Sequence, residues 1–172
     1  DIRFDVVIDA LIAKRNMGTT RDEAELVLGL GPGFTAGEDT DIVIETNRGH
    51  HLGRIITQGS AVENTGIPGN IGGYTTERVL RAPSDGLFES GFDIGDSFHK
   101  NDIIGSVNGT KIRAHISGIL RGLIEPGIYV EKNCKVGDID PRNDSSYCGT
   151  VSDKSRTIGS GVLAAVLNKF NH

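Results

Sequence analysis

A chain of 172 residues with a formal net charge of −5 and a pI near 5.5 lacks the basic surface that binding to nucleic acids or to anionic membranes requires. Six Phe, three Tyr and no Trp leave few side chains for stacking on bases. The 24 glycines, roughly twice the ordinary usage, predict many tight turns in a β-rich chain.

Cysteine usage and the lack of long apolar runs favour the cytoplasm as the compartment of this protein. Cys134 and Cys148 are the only cysteines, and they form no Cys-x-x-Cys pattern. The sequence shows neither a signal peptide nor an apolar run of about 20 residues, so a cytoplasmic protein without a membrane segment is predicted. Zinc sites need clustered Cys and His ligands, which this sequence does not offer, so no metal site is predicted.

The N-terminal part has the pattern of a mixed α/β segment. Apolar residues predict a short buried strand over residues 4–13, and because the chain opens directly into that strand we expect the 172 residues to be a fragment. Thr20 lies three residues before Glu23, the spacing of a capping box, which predicts a helical turn. Further strands are predicted over 26–30 and on both sides of a turn at 47–51, followed by a glycine-rich loop over 59–74.

Two stretches, beginning at Ala82 and Ala114, repeat the same pattern without a gap. Turn residues and apolar residues recur together at a fixed offset of 114 − 82 = 32 positions. The matched pairs include Gly86/Gly118, Gly95/Gly127, Lys100/Lys132, Asn101/Asn133, Gly105/Gly137, Phe88/Leu120, Phe98/Val130, Ile104/Val136 and Val107/Ile139. Neither copy has enough strands to bury its apolar face alone, so we predict two interlocked half-barrels. The pattern resembles the barrel-sandwich hybrid of biotinyl and lipoyl domains.

The connection between the two copies shows where that resemblance ends. Asn108-Gly109 is the preferred dipeptide of a type I′ hairpin, so the chain is expected to reverse there. Biotinyl and lipoyl domains carry a modifiable lysine at the corresponding tip. Here Lys111 follows the turn, so a carrier role is not predicted.

The C-terminal segment is predicted to be a helix. Apolar residues recur at helical spacing from Ile158 to Phe170, Ser152 is the expected N-cap, and Lys169 suits the last turn. The expected fold is therefore α+β and β-rich. The expected parts are an α/β segment over 1–75, a barrel-sandwich hybrid over 76–142, and over 143–172 a helix that packs on the body.

The stretch GLGPGFTAG places Gly29, Gly31, Gly33 and Gly37 after a predicted strand. Exposed amide groups in such a loop can hold an anion. No Gly-Lys-Ser/Thr follows and the next element is a strand, so the loop is neither a P-loop nor a dinucleotide fingerprint. The alternative is a tight structural turn.

The stretch ETNRGHHLGR gathers charged and imidazole side chains around a turn. Glu45, Arg48, His50, His51 and Arg54 lie within ten residues, and a guanidinium next to imidazoles suits a phosphate or another oxyanion. A third well-spaced metal ligand is missing. The alternative is an ordinary polar surface loop.

Cys148 lies shortly before the predicted C-terminal helix. A thiol at a helix N-terminus can have a lowered pKa and become reactive. The alternative is a buried, inert thiol, and Cys134, which replaces Asp102 of the first copy, is interpreted as incidental.

Several stretches together resemble one protein family. They are DALIAKRNMGTT, LGLGPGFTAGEDTDIVIETNRGHHLGRII, NTGIPGNIGGYTTERVLRAPSDG, GILRGLI, VGDIDPR and SDKSRTIGSGVLAAVL. The chain is similar to maturation proteins of selenium-dependent molybdenum hydroxylases over residues 5–168. In that family a nucleotide-binding-like segment precedes this region, in agreement with the expectation of a fragment.

The resemblance implies an accessory role in supplying or installing the molybdenum cofactor, as molybdopterin or its dinucleotide form, or in delivering selenium. The implied partners are the molybdenum hydroxylase or the cofactor-synthesis proteins. The cofactor-binding residues that the resemblance implies are Gly31, Gly33, Phe34, Thr35, Gly37, Glu45, Arg48, His50, Arg142, Asp153 and Lys154. Cys148 is the candidate catalytic residue.

Two other functions stay open at this point. One is an enzyme that transfers sulfur or selenium through Cys148, and the other is a non-catalytic scaffold for protein contacts. The sequence does not decide whether the chain is an enzyme, and a homo-oligomer is one open alternative for its assembly.

Overall fold

A computed structural model describes residues 3–171 and shows the predicted β-rich α+β fold, with one long helix near the C-terminus. The described chain forms two compact units. The first contains the residues up to Gly66 together with those from Val151 onward, and the second contains Ile67–Thr150. The unit limits therefore lie at 66/67 and 150/151, whereas the boundaries predicted from the sequence lie at 75/76 and 142/143.

The first unit is built on a mostly parallel sheet. Its six strands are β1 (Phe4–Asp9), β2 (Ala24–Leu30), β3 (Thr35–Ala36), β4 (Ile42–Ile44), β5 (Ile55–Ile56) and β6 (Gly59–Ser60). The main sheet has the order β1-β2-β4-β5, in which β1, β2 and β4 run parallel and β5 is antiparallel to β4. The short strands β3 and β6 pair separately. A 3-10 turn over Arg21–Glu23 precedes β2, and the Thr20 amide donates to Glu23 Oε1 at 3.0 Å, as the capping-box spacing predicts.

The first strand differs from its prediction in length and in burial. It ends at Asp9, whereas a strand over residues 4–13 was expected, and its side chains are exposed or half-buried, whereas a buried strand was expected. The physical reason is its position, because β1 is an edge strand that pairs with β2 on one side only within the described chain. Apolar composition alone does not distinguish an edge strand from a central one.

The predicted helix is present as α1 (Asp153–Phe170), which covers one face of the main sheet. Ser152 is its N-cap, and the Ser152 side chain accepts a hydrogen bond from the Ser155 amide at 3.1 Å. Ala165 is buried against the sheet, in one cluster with Leu26, Leu28 and Ile44. The helix thus belongs to the same unit as the N-terminal sheet.

Replacing Ser152 by alanine is expected to lower the free energy of unfolding of the first unit by about 1 kcal/mol, because the Ser155 amide loses its acceptor. The loss should appear in urea denaturation followed by circular dichroism of the helix. Ser160→Ala is the matched control, since the Ser160 hydroxyl bonds Arg156 O in the middle of the helix, where alanine is well tolerated. Equal stability of the Ser152 and Ser160 variants would contradict the cap.

The second unit consists of eight strands that form two four-stranded sheets. They are β7 (Val79–Arg81), β8 (Gly86–Glu89), β9 (Ser97–Phe98), β10 (Ile103–Val107), β11 (Thr110–Arg113), β12 (Gly118–Leu123), β13 (Tyr129–Val130) and β14 (Lys135–Asp140). The sheet orders are β11-β10-β8-β13 and β7-β14-β12-β9. Exchanging each strand for its counterpart 32 residues away converts one order into the other. The duplicated half-barrels predicted from the sequence are therefore present.

The hydrogen bonds repeat with the same offset and interlock the copies. The Asn101 amide donates to Ala114 O at 2.8 Å, and the counterpart amide of Asn133 donates to Ala82 O at 2.9 Å. Both asparagines have positive φ, at 77° and 69°. Each copy thus uses its Lys-Asn turn to hold the other copy. The Asn108-Gly109 hairpin between them has positive φ at both positions, as a type I′ turn requires.

Candidate functional site

The carboxyl ends of the three parallel strands define the candidate site of the first unit. Residues 10–20 follow β1, 31–37 follow β2, and 45–54 follow β4. Because these strands are parallel, the three loops leave the same edge of the sheet, which is where ligands of open α/β sheets bind. Most of the site residues predicted for this unit lie in these loops, and Asp153 and Lys154 begin α1.

The glycine-rich loop after β2 is held by its own hydrogen bonds. The Gly31 amide donates to Ile44 O at 2.9 Å, and the Gly37 amide donates to Thr40 O at 2.8 Å. The Thr35 amide donates to Asp39 Oδ1 at 2.7 Å. These three amides are already used within the protein, so the predicted anion cradle cannot be built from them.

Two further residues of this loop have structural tasks. The Phe34 side chain is buried in a small cluster with Val43 and Ile56, so its ring has no open face. Gly33 has a φ of 109°, and a Cβ there would lie 2.5 Å from Arg15 Cα. The loop after β1 therefore packs directly on the glycine backbone, and only glycine fits this close approach. A role of Gly33 or Phe34 in cofactor binding stays a prediction.

Glu45 is a buried carboxylate at the end of β4, with 3% of its surface exposed. Its Oε1 accepts the Asn47 amide at 2.7 Å, and its Oε2 accepts the Val62 amide at 2.9 Å. Buried carboxylates persist in proteins when both oxygens are bonded in this way. Glu45 thus fixes the start of the 45–54 loop.

The 45–54 loop packs closely against the start of α1. A Cβ on Gly53 would lie 2.7 Å from Thr157 O, and a Cβ on Gly161 would collide with Gly53 O. Arg48 forms a two-bonded ion pair with Asp153 at 2.7 and 3.0 Å. The structure therefore brings together Glu45, Arg48, Asp153 and Lys154 of the predicted set.

Lys154 is the half-buried cation of this group. Partial burial lowers the pKa of Lys154 below the ordinary lysine value of 10.5, and the positive charges of Lys14 and Arg48 lower this pKa further. Glu45 acts in the opposite direction. Lys14 and Arg48 thus both act on Lys154 at the carboxyl edge of the sheet, and a bound anion would offset their repulsion of the Lys154 ammonium group.

Lys14 was missed in the sequence analysis. It lies in the loop after β1, has a positive φ of 65°, and acts electrostatically on Lys154. A signal was available, since Lys14-Arg15 follows the first strand and strands of a parallel sheet present their carboxyl ends together. That signal required knowing that β1 is parallel to β2.

The two histidines of the loop are exposed. His50 and His51 pack edge to face with ring centroids 5.1 Å apart. An edge-to-face contact orients two rings without creating a pocket. The binding role of His50 therefore stays a prediction.

Arg142 lies in the second unit, in a cluster around the buried carboxylate of Asp140. Its Nε and Nη2 bond Asp140 at 2.9 and 2.6 Å, and its guanidinium lies 4.3 Å from the centroid of the Tyr147 ring. Arg121 bonds the same carboxylate at 3.1 Å. The hydrogen bond from Arg142 holds the pKa of Asp140 below its usual range, although burial opposes the shift. This arrangement stabilises the end of β14, and a binding role of Arg142 stays a prediction.

Cys148 also lies in the second unit, at the end of a 3-10 turn over Ser145–Cys148. Its thiol is half-buried, with Sγ 3.8 Å from Leu120 O. Residues 149–152 separate it from α1. A catalytic thiol at this position stays a prediction.

Residues 3–171 contain neither a cluster of metal-ligating side chains nor a helix that could span a membrane. Over that range, no three His, Cys, Asp or Glu side chains come together in a group suited to a metal ion. The helices in the same range fall short of the length and hydropathy that a membrane-spanning segment needs.

The solved structures that resemble this chain include two remote ones. An aspartoacylase family protein from Mesorhizobium loti is 24% identical with a TM-score of 0.34, covering 37% of this chain and 23% of that one. The ectoine utilization protein EutE (DoeB) from Ruegeria pomeroyi is 20% identical with a TM-score of 0.35, covering 49% of this chain and 27% of that one. Both TM-scores are under 0.5, so neither likeness supports a conclusion about this chain.

Comparison of sequences gives a much nearer relative. No family model matches the chain. The uncharacterized protein YqeB of Escherichia coli strain K12 is 50% identical over 161 residues, which cover 94% of this chain. The same match covers 30% of YqeB, so the chain spans about a third of the length of the relative that it matches.

Proposed function

We propose that this chain is part of an accessory protein that matures selenium-dependent molybdenum hydroxylases, and that it binds an anionic form of the molybdenum cofactor at the carboxyl edge of β1, β2 and β4. The observation that carries the proposal is the convergence of Lys14, Arg48 and Lys154 at that edge. The family resemblance of the sequence supplies the biological setting.

The residues at this edge suit the phosphate part of such a cofactor. Phosphate oxygens accept hydrogen bonds from Lys and Arg, and an overall acidic protein needs a local group of cations to hold them. The amides of Gly31, Thr35 and Gly37 are already hydrogen-bonded within the protein. The glycine loop can therefore contribute to the shape of the site, but these amides cannot bind the phosphate. When bound, the cofactor would supply molybdenum and its sulfur ligands, while the chain would hold its phosphate.

Replacing Lys154 by alanine is expected to weaken the binding of molybdopterin or its cytidine dinucleotide by about 1.5–3 kcal/mol, the value of a charged hydrogen bond. Isothermal titration calorimetry measures the affinity directly. Binding to the unchanged protein should also weaken as the pH rises through the pKa of Lys154, which lies below 10.5, because the neutral amine no longer attracts an anion.

Lys169→Ala is the matched control for this experiment. Lys169 lies on the same helix, 15 residues further on, which is about 22 Å along the axis. The Lys169 ammonium group lies 3.5 Å from the Glu25 carboxylate, so the Lys169→Ala variant loses one surface ion pair only. Equal affinities of the Lys154 and Lys169 variants would place the ligand elsewhere. If the unchanged protein released or absorbed no heat with either ligand, the alternative of a non-catalytic scaffold for protein contacts would be favoured.

Cys148→Ser separates the proposal from Cys-dependent transfer of sulfur or selenium. The variant should bind the cofactor like the unchanged protein and should activate the hydroxylase equally well, because the proposed site does not include the thiol. Loss of activation with retained binding would assign the chemistry to Cys148.

A further inference from the structure

One face of the edge strand β1 is apolar and open. Phe4, Val6 and Ile8 alternate along the strand and so share a face, in register with Ala24, Leu26 and Leu28 of β2. Leu28 is fully buried under α1, whereas Phe4 and Ile8 are 59% and 43% exposed. The helix layer that covers β2 therefore stops short of β1.

The flank of α1 on the β1 side is also apolar and open. Gly161 contacts Gly53, so that side of the helix lies over the β4–β5 loop. Val162 and Val166 pack in the same cluster as Val6 of β1, on the face of α1 that meets the sheet. At about 100° per residue, Leu163 and Phe170 lie on the side of the helix opposite Gly161, towards β1. Leu163 and Phe170 are 59% and 40% exposed.

These two surfaces form one feature, which we call the β1 trough and define by Phe4, Ile8, Leu163 and Phe170. Neighbouring helices on a sheet lie about 8–10 Å apart, roughly the width of two strands. A second helix therefore fits over β1, beside α1. Among residues 3–171 no strand pairs with the outer edge of β1, so its backbone groups are available to one more strand.

We propose that the β1 trough is the docking surface for a further strand and amphipathic helix of the same polypeptide in a longer protein. Parallel sheets are covered by helices on both faces, whereas in the described part of the chain Phe4 and Ile8 of β1 are left exposed on the side that carries α1. The match occupies only 30% of YqeB, so such a protein has ample chain to supply the missing unit. This inference does not depend on the proposed cofactor site.

A second copy of the chain is disfavoured as the occupant because of charge. Pairing two copies through β1 would bring two Asp5 and two Asp9 carboxylates into one strand pair. With Val7 on the two-fold axis, Asp5 of one copy would lie opposite Asp9 of the other, and like charges directly opposite are destabilising. A separate segment is free of this restriction.

Hydrogen exchange in intact YqeB tests the proposal. Protection factors are compared between the 172-residue protein and intact YqeB for the amides of β1, Phe4–Asp9, and for the aligned segment of YqeB. Protection at least about 10-fold greater in the longer protein is expected, because covered and paired amides exchange through rarer openings. Equal protection would overturn the inference.

Sedimentation velocity of the 172-residue protein tests the alternative occupant. A monomer is expected across the concentration range. A dimer that Leu163→Glu abolishes and Ala164→Glu leaves intact would overturn the inference in favour of a second copy. Ala164 is the matched control, since it is an exposed neighbour about 100° around the helix, away from the trough.

Discussion

Replacing Phe88 by alanine is expected to lower the free energy of unfolding of the second unit by about 3–5 kcal/mol. Phe88 is 1% exposed and lies at the centre of the core shared by the two half-barrels. Its removal leaves a cavity that does not readily close, because β8, the strand that carries Phe88, is held by hydrogen bonds to β10 on one side and β13 on the other. Leu120→Ala, at the position related by the repeat, should cost a comparable amount.

The measurement is simplified by the placement of the tyrosines. All three, Tyr74, Tyr129 and Tyr147, lie in the second unit, so tyrosine fluorescence in urea reports the unfolding of that unit alone. Leu87→Ala is the matched control, because Leu87 is the neighbouring residue of β8 and is 55% exposed. That variant should change stability by less than about 0.5 kcal/mol. A loss of under 1 kcal/mol for Phe88→Ala would show that the two halves do not share one core.

The duplicated half-barrel could be predicted because its determinants are local and occur twice. Asn101 and Asn133 adopt positive φ in both copies, and so do Gly95 and Gly127. Gly105 and Gly137 each face a carbonyl oxygen, where a Cβ would lie 2.5 Å away. Turn conformation and close approach restrict the residue type at the position itself. A repeat of such residues therefore predicts that the same local structure occurs twice.

The exposure of β1 could not be predicted for the opposite reason. The apolar run from Val6 to Ile8 is compatible with a strand that has one neighbouring strand and with a strand that has two. The burial of β1 depends on whether a further strand and a further helix lie beside it, and the sequences of those elements lie elsewhere in a chain. The same limit applies to α1, whose Leu163 and Phe170 continue the helical apolar spacing and yet are exposed.

The structure brings part of the residue set predicted for the candidate site together, and the hydrogen bonds of the other residues could not be predicted. Glu45, Arg48, Asp153 and Lys154 come together. The sequence could not show that the Gly31 amide is used by Ile44 O, which belongs to the next parallel strand. It also could not show that Arg142 bonds Asp140 in the second unit. Hydrogen-bond partners across strands depend on register, and register depends on the whole sheet.

Replacing Glu45 by glutamine is expected to lower the free energy of unfolding of the first unit by about 1–3 kcal/mol, because glutamine can accept only one of the two amides that the carboxylate accepts. Circular dichroism of α1, which lies in the first unit, follows this transition. Glu25→Gln is the matched control. The Glu25 side chain is exposed, faces Lys169 at 3.5 Å, and should contribute less than about 0.5 kcal/mol.

The same substitution should change the cation group. Glu45 raises the pKa of Lys154, whereas burial, Lys14 and Arg48 lower it. Replacing the Glu45 carboxylate by a neutral amide should therefore lower the pKa of Lys154 further. In this variant, an anion at the site no longer meets the repulsion of a buried carboxylate. Glu45→Gln should therefore bind the anionic cofactor more tightly than the unchanged protein while being less stable without it. Calorimetry in which the Glu45 variant binds more weakly, with Glu25→Gln unchanged, would show that the carboxylate positions the loop for binding and that its charge is secondary.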